Sequence, residues 1–230
     1  MLGLLVIIVI SWMLLLFIEK KNISVLGIIP DKKRVSQFAI GFMIMTCICL
    51  IIIYIESWVL HVEWKKNETI NFTDILNSFI YHIRSALTED LVFRGAILYI
   101  LIQKIGAKKA IIISAILFGI YHIFSYGLLH GNVIVTIYIV IITGCTGYVW
   151  AFTFYKTKSI MMGLGLHLGY NFIMTLFHEA HPYGELIFQE VSKTSLKDWE
   201  WLFYNLAKGL FPSIITLIVV KQYLKKNKIA

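Results

Sequence analysis

The chain has 230 residues, of which 59% are hydrophobic and 15% charged, with a formal net charge of +8 and a mean hydropathy of +0.79. This balance excludes an ordinary water-soluble domain, and because Lys and Arg fall in short clusters between apolar runs, it also argues against a nucleic-acid partner. Cys47, Cys49 and Cys145 all lie inside apolar runs, so they form neither a disulfide framework nor a zinc ribbon.

Apolar runs occupy residues 2–18, 35–55, 77–102, 110–126, 132–155, 159–178 and 202–220, against a requirement of about 20 residues per span. They predict an all-α, multi-span transmembrane helical bundle of about seven spans, with an active site buried between helices. The first run is followed by Ile18-Glu19-Lys20-Lys21 with no small-residue cleavage site and is preceded by no basic segment, so it reads as a retained anchor. The loops alternate in charge. Lys20, Lys21, Lys32, Lys33 and Arg34 fill the first, Lys104, Lys108 and Lys109 the third, Lys156 and Lys158 the fifth, and Lys221, Lys225, Lys226 and Lys228 the tail. Residues 56–74 (Glu56, Glu63, Glu68, Asp74) and 179–200 (Glu179, Glu185, Glu190, Asp198, Glu200) are acidic. The excess of positive charge on the cytoplasmic side then puts the N-terminus outside and the C-terminus inside. With no repeat and no Pro-, Gly- or Ser-rich linker, residues 1–230 read as a single integral membrane domain. Trp199 and Trp201, close behind Pro182-Tyr183-Gly184, mark residues 179–201 as an interfacial segment.

The third run contains Thr88-Glu89-Asp90-Leu91-Val92-Phe93-Arg94-Gly95. A lone charge at bilayer depth is costly, so charges there face a protein interior or a wet cavity and mark a functional site. Asp90 and Arg94 are four residues apart, on one helix face, where they neutralise each other as a structural pair. Glu89 is left over, on a stripe with His82, Ser85, Ala86 and Phe93, placed to take or give a proton.

Two further spans carry polar groups at helical spacing: Phe118 with His122, and His167 with Asn171. Gly119, Gly163, Gly165 and Gly169 lie beside them, and the small-xxx-small pair Gly165 and Gly169 predicts a close helix approach that gathers Glu89, His122, His167 and Asn171 at one cavity. That set supports two chemistries. Glu89, His122 and His167 are three candidate zinc ligands with an open fourth position; without metal, Glu89 with His122 activates a water while His167 and Asn171 hold an oxyanion. There is no His-Glu-x-x-His to favour zinc, and no Gly-x-Ser-x-Gly elbow to favour a serine nucleophile.

Glu89-Asp90-x-x-x-Arg94, Phe118-x-x-x-His122 and His167-x-x-x-Asn171, in this order, resemble the three motifs of the CAAX protease and bacteriocin-processing family, also called the Abi family. The resemblance covers the core helices at about residues 77–178 and implies a multi-span intramembrane endopeptidase. It implies that Glu89 and His122 activate the water, that His167 and Asn171 stabilise the oxyanion, and that Asp90, Arg94 and Phe118 support them. Asp90 departs from the family's more usual second Glu, a change that shortens the pair with Arg94. The resemblance leaves a glutamate-based mechanism without cofactor and a zinc-dependent one both open. It implies a membrane-associated protein or peptide substrate and, for this short chain, a place in a bacterial plasma membrane, with roles in peptide pheromone or bacteriocin processing or in self-immunity. The rival readings are a non-catalytic bacteriocin-immunity membrane protein and an ion or proton transporter, although no repeated halves of the transporter kind are present. Oligomeric state is not readable from the sequence.

Overall fold

The computed structural model describes residues 2–227, so Met1 and Lys228, the last of the C-terminal basic cluster, lie outside the described residues. Helix α1 (Leu2–Leu14) continues into one π-helical turn, Leu15–Glu19, and ends at Lys20 in a left-handed conformation. Helix α2 (Lys32–Val59) starts at Asp31, whose carboxylate accepts from the Arg34 amide at 2.7 Å and so satisfies a free helix-end N–H. Asn71 and Asn132 cap α3 (Phe72–Arg94) and α6 (Val133–Thr157) in the same way. The remaining helices are α4 (Ala96–Ile105), α5 (Ala107–Ser125), α7 (Met161–Thr175) and α8 (Asp198–Lys226), the last with Pro212 inside it.

Every predicted run is therefore helical, the third as two helices. Among the described residues, five helices are long and apolar enough to cross a membrane: α1 with its π turn, α2, α5, α6 and α8. α3 falls outside this group because of its ionisable residues, α4 and α7 because they have 10 and 15 residues. The break between α3 and α4 is at Gly95, where a Cβ would stand 2.1 Å from the Leu91 carbonyl oxygen, so only glycine fits.

Two short strands, β1 (Glu63–Lys66) and β2 (Phe188–Ser192), pair antiparallel. They join the two acidic connections at one end of the bundle, on a common side as the charge alternation predicts. Residues 179–201 are less uniform than an interfacial loop: β2 lies inside them, and Trp199 and Trp201 stand exposed in the first turn of α8.

The glycines of α7 do approach another helix closely, but that helix is α2. Added Cβ atoms would lie 2.1 Å from Phe38 O at Gly165 and 3.0 Å from the Met45 side chain at Gly169, while Gly41 of α2 has Met162 O at 2.2 Å. The reason is angular: Gly165 and His167 are two residues apart, about 200° around the helix, so the glycine face packs on α2 while the polar face turns the other way. Around this seam Met45, Ile48, Cys49, Phe118, Trp150, Leu166 and Val220 form one apolar core.

Candidate functional site

Asp90 and Arg94, 1% and 2% exposed, form the i, i+4 ion pair that their spacing predicts. The Arg94 guanidinium also lies 4.2 Å from the Phe118 ring centroid and 5.0 Å from that of Trp150, a cation held against aromatic faces. Asp90 has a second partner. Its Oδ1 is 3.2 Å from His167 Nδ1, and since a carboxylate only accepts, Nδ1 carries the proton. That bond aims Nε2 of His167 toward Glu89, 3.8 Å from Oε2. Trp150 stacks on the other side of the imidazole, with ring centroids 4.2 Å apart.

Glu89 accepts from the Ser85 hydroxyl at 3.4 Å, one helical turn earlier on α3. His122, near the end of α5, has Nδ1 2.7 Å from the Phe118 carbonyl oxygen. A carbonyl only accepts, so Nδ1–H donates and the neutral ring presents Nε2 as a free base. Glu89, His122, His167 and Asn171 line one cavity of about 510 Å³, with Phe118 in its wall and Asp90 and Arg94 behind it. α3, α5 and α7 thus bring the four predicted residues together. The direct neighbour of Glu89 is His167, and His122 faces the same space from α5.

Three further groups in or beside this cavity are not among the predicted site residues. Trp150 is one aromatic residue among many in an apolar run. His82 donates from Nε2 to Thr175 Oγ1 at 3.1 Å, and Thr175 in turn donates to Asn171 O at 2.6 Å, tying α3 to α7 beside the site. Glu56, counted above with the loop charges, is 3% exposed in the last turn of α2, where Lys208 of α8 pairs with it and His178 Nε2 stands 3.4 Å away. Lys208 and His178 line the cavity. Burial pushes the His178 pKa below its ordinary value, against the pull of Glu56. Only pairing across 152 positions makes a buried Glu56 tolerable.

Among the described residues, no three His, Cys, Asp or Glu side chains converge as a group able to hold a metal ion. The candidate zinc set Glu89, His122 and His167 lines the cavity without forming such a cluster.

A carboxylate, two imidazoles and a carboxamide thus share one cavity in a largely helical chain that has five apolar helices of spanning length among its described residues. Residues 71–173, from the start of α3 almost to the end of α7, match the model of the family described as type II CAAX prenyl endopeptidase Rce1-like. That match supports a likeness of this segment to the CAAX protease family, a family of proteases, in agreement with its three motifs. No curated protein and no solved structure matches the chain significantly.

Proposed function

We propose that this protein is an intramembrane endopeptidase that cuts a peptide bond in a membrane-associated protein or peptide, using water activated by Glu89 and His122. The observation that carries the reading is the convergence of Glu89, His122, His167 and Asn171 on one cavity from three helices of the family-matched segment. Glu89 takes a proton from the water as its oxygen bonds to the scissile carbonyl carbon, and His122 Nε2 orients that water by accepting its other hydrogen. The oxyanion is held by the Asn171 amide and by His167 Nε2–H; with Nδ1 already donating to Asp90, this uses the doubly protonated ring. As the tetrahedral intermediate collapses, the C–N bond breaks and Glu89 returns its proton to the leaving amine.

In this reading the substrate is a peptide of the cell envelope, in pheromone or bacteriocin maturation or self-immunity, and the protein sits in a bacterial plasma membrane with its N-terminus outside. Comparing membrane peptidomes of cells carrying wild type and Glu89→Ala tests it: peptides that accumulate uncut only with the variant are substrates. Identical peptidomes at equal protein abundance would remove the proteolytic reading.

A further inference from the structure

The last helix, α8, has two unequal halves. Its buried residues are Pro212, Ser213, Thr216, Val220 and Leu224, whereas none of residues 198–211 is buried. The second half is seated in the bundle and the first only leans on it. Pro212 stands at the join. It has no N–H to offer the Lys208 carbonyl, so the helix lacks there one of the bonds that stiffen it. Gly209 lies in the same turn, where a Cβ would come within 2.7 Å of the Tyr138 hydroxyl oxygen.

α8 packs on both α2 and α6, and one face of it, from Asn205 and Lys208 through Pro212 to Thr216, lines the cavity that holds Glu89. The opposite face of its first half carries the exposed Trp199 and Phe203. Two polar ties hold this half in place. Tyr138 of α6 donates to Asn205 O at 2.9 Å, and Lys208 pairs with Glu56 in the last turn of α2. The second tie is costly, because the Glu56 side chain is 4% exposed and a buried carboxylate must be compensated by its partners. His178 Nε2 lies 3.4 Å from the other Glu56 oxygen, so a Glu56 released by Lys208 still has a donor beside it.

Resting on the endopeptidase reading, we propose that residues 198–211 form a lateral gate, hinged at Pro212 and latched by Lys208 on Glu56. When the latch parts, this half of α8 bends outward and a membrane-embedded peptide reaches Glu89 between α2 and α6. Trp199 and Trp201, both exposed at the free end, hold it at headgroup level, so the swing runs in the plane of the membrane. The ion pair keeps the open form a minor one, and a peptide that fills the gap shifts the balance toward it. A short water-soluble peptide has another way in, past Glu179 and His181, which are exposed and line the same cavity.

The test uses the full chain in nanodiscs, with Cys47, Cys49 and Cys145 replaced. Spin labels at Phe203→Cys and Phe124→Cys report the first half of α8 against α5, and labels at Ile218→Cys and Ile112→Cys report the second half. Glu56→Gln with Lys208→Met removes the latch without stranding either charge. A longer distance from position 203 is expected to gain population about fivefold, the upper end for an ion pair with one partly exposed member, while the distance from position 218 stays unchanged. In a second arm, Glu56→Cys and Lys208→Cys are joined by a short bismaleimide. Joining them should slow cleavage of a membrane-spanning peptide by at least about tenfold and that of a short soluble peptide with the same scissile sequence by less than about twofold. Identical distances from position 203 with and without the latch overturn the gate, as does a tether that slows both peptides alike or neither. Lengthening at position 203 alone, with neither peptide cut by wild type, supports the gate and instead removes the hydrolytic reading on which it rests.

Discussion

Trp150 lies flat against His167, with ring centroids 4.2 Å apart and planes 26° apart. The indole is 3% exposed and blocks the imidazole from swinging off Asp90. Losing a buried Trp to Ala costs about 3–5 kcal/mol, whereas the stacking alone is worth about 0.5–1.5 kcal/mol. Trp150→Ala is expected to lower membrane abundance and unfolding temperature, and Trp150→Phe to keep both while turnover drops by up to about tenfold. Turnover and thermal unfolding on purified protein separate the two effects; a stable, fully active Trp150→Ala would show that the stack does not position His167.

Glu89→Gln preserves shape while removing the base, and His122→Ala removes its partner across the cavity. Each should reduce cleavage by about 10²–10⁴-fold at normal abundance. Because no three-donor metal cluster is assembled, cleavage by the purified protein is expected to persist after exhaustive chelation. Retained activity in Glu89→Gln would reassign the base, and loss on chelation restored by zinc would reassign the mechanism.

Asp90 serves two partners, so its substitution should do more than break an ion pair. Stranding one member of a buried pair costs about 3–5 kcal/mol in a water-soluble interior. Arg94→Ala is therefore expected to reduce abundance, measured by quantitative blotting of membranes. Asp90→Asn should lower abundance and, in the protein that remains, turnover, because His167 loses the acceptor that fixes its Nδ1 proton. Normal abundance of inactive Arg94→Ala would move Arg94 from support to chemistry.

His178 ties stability to pH. Burial lowers its pKa while Glu56 and Glu190 pull it up and Lys208 and Lys193 push it down. A histidine whose folded pKa is depressed contributes stability that is fully present above the unfolded value of about 6.5 and is lost as pH falls through the folded value. The unfolding temperature should thus fall on acidification below about pH 6.5, and His178→Gln should flatten that slope. Equal slopes for variant and wild type would show that His178 remains accessible to protons.

In the orientation we propose from the charge alternation, the connection between α5 and α6 lies outside the cell. Leu129 is 62% exposed there, whereas neighbouring Asn132 caps α6 and is better left intact. Leu129→Cys, with Cys47, Cys49 and Cys145 replaced, should react with a membrane-impermeant thiol reagent added to intact cells. Labelling only in broken cells would invert the topology.

The parts of this structure legible in the sequence are those encoded locally. The pair Asp90 and Arg94 and the faces of His122 and of His167 with Asn171 follow from four-residue spacing on one helix, and the apolar runs mark every helix that carries them. What was hidden depends on distant partners. Glu56 is indistinguishable from a loop charge until Lys208 is brought to it from α8. Gly165 and Gly169 announce a close helix neighbour without saying that it is α2.

The seam between α2 and α7 has a further consequence. The family-matched segment begins after α2 ends, yet the helix that carries His167 and Asn171 rests its glycine-lined back directly on α2, main chain against main chain. Excised on its own, that segment would leave a bare trough along α7 with no side chains to fill it, open to lipid tails that have no shape to match. α2 thus works as a splint: it carries none of the predicted catalytic groups and sets the height and tilt at which α7 presents them.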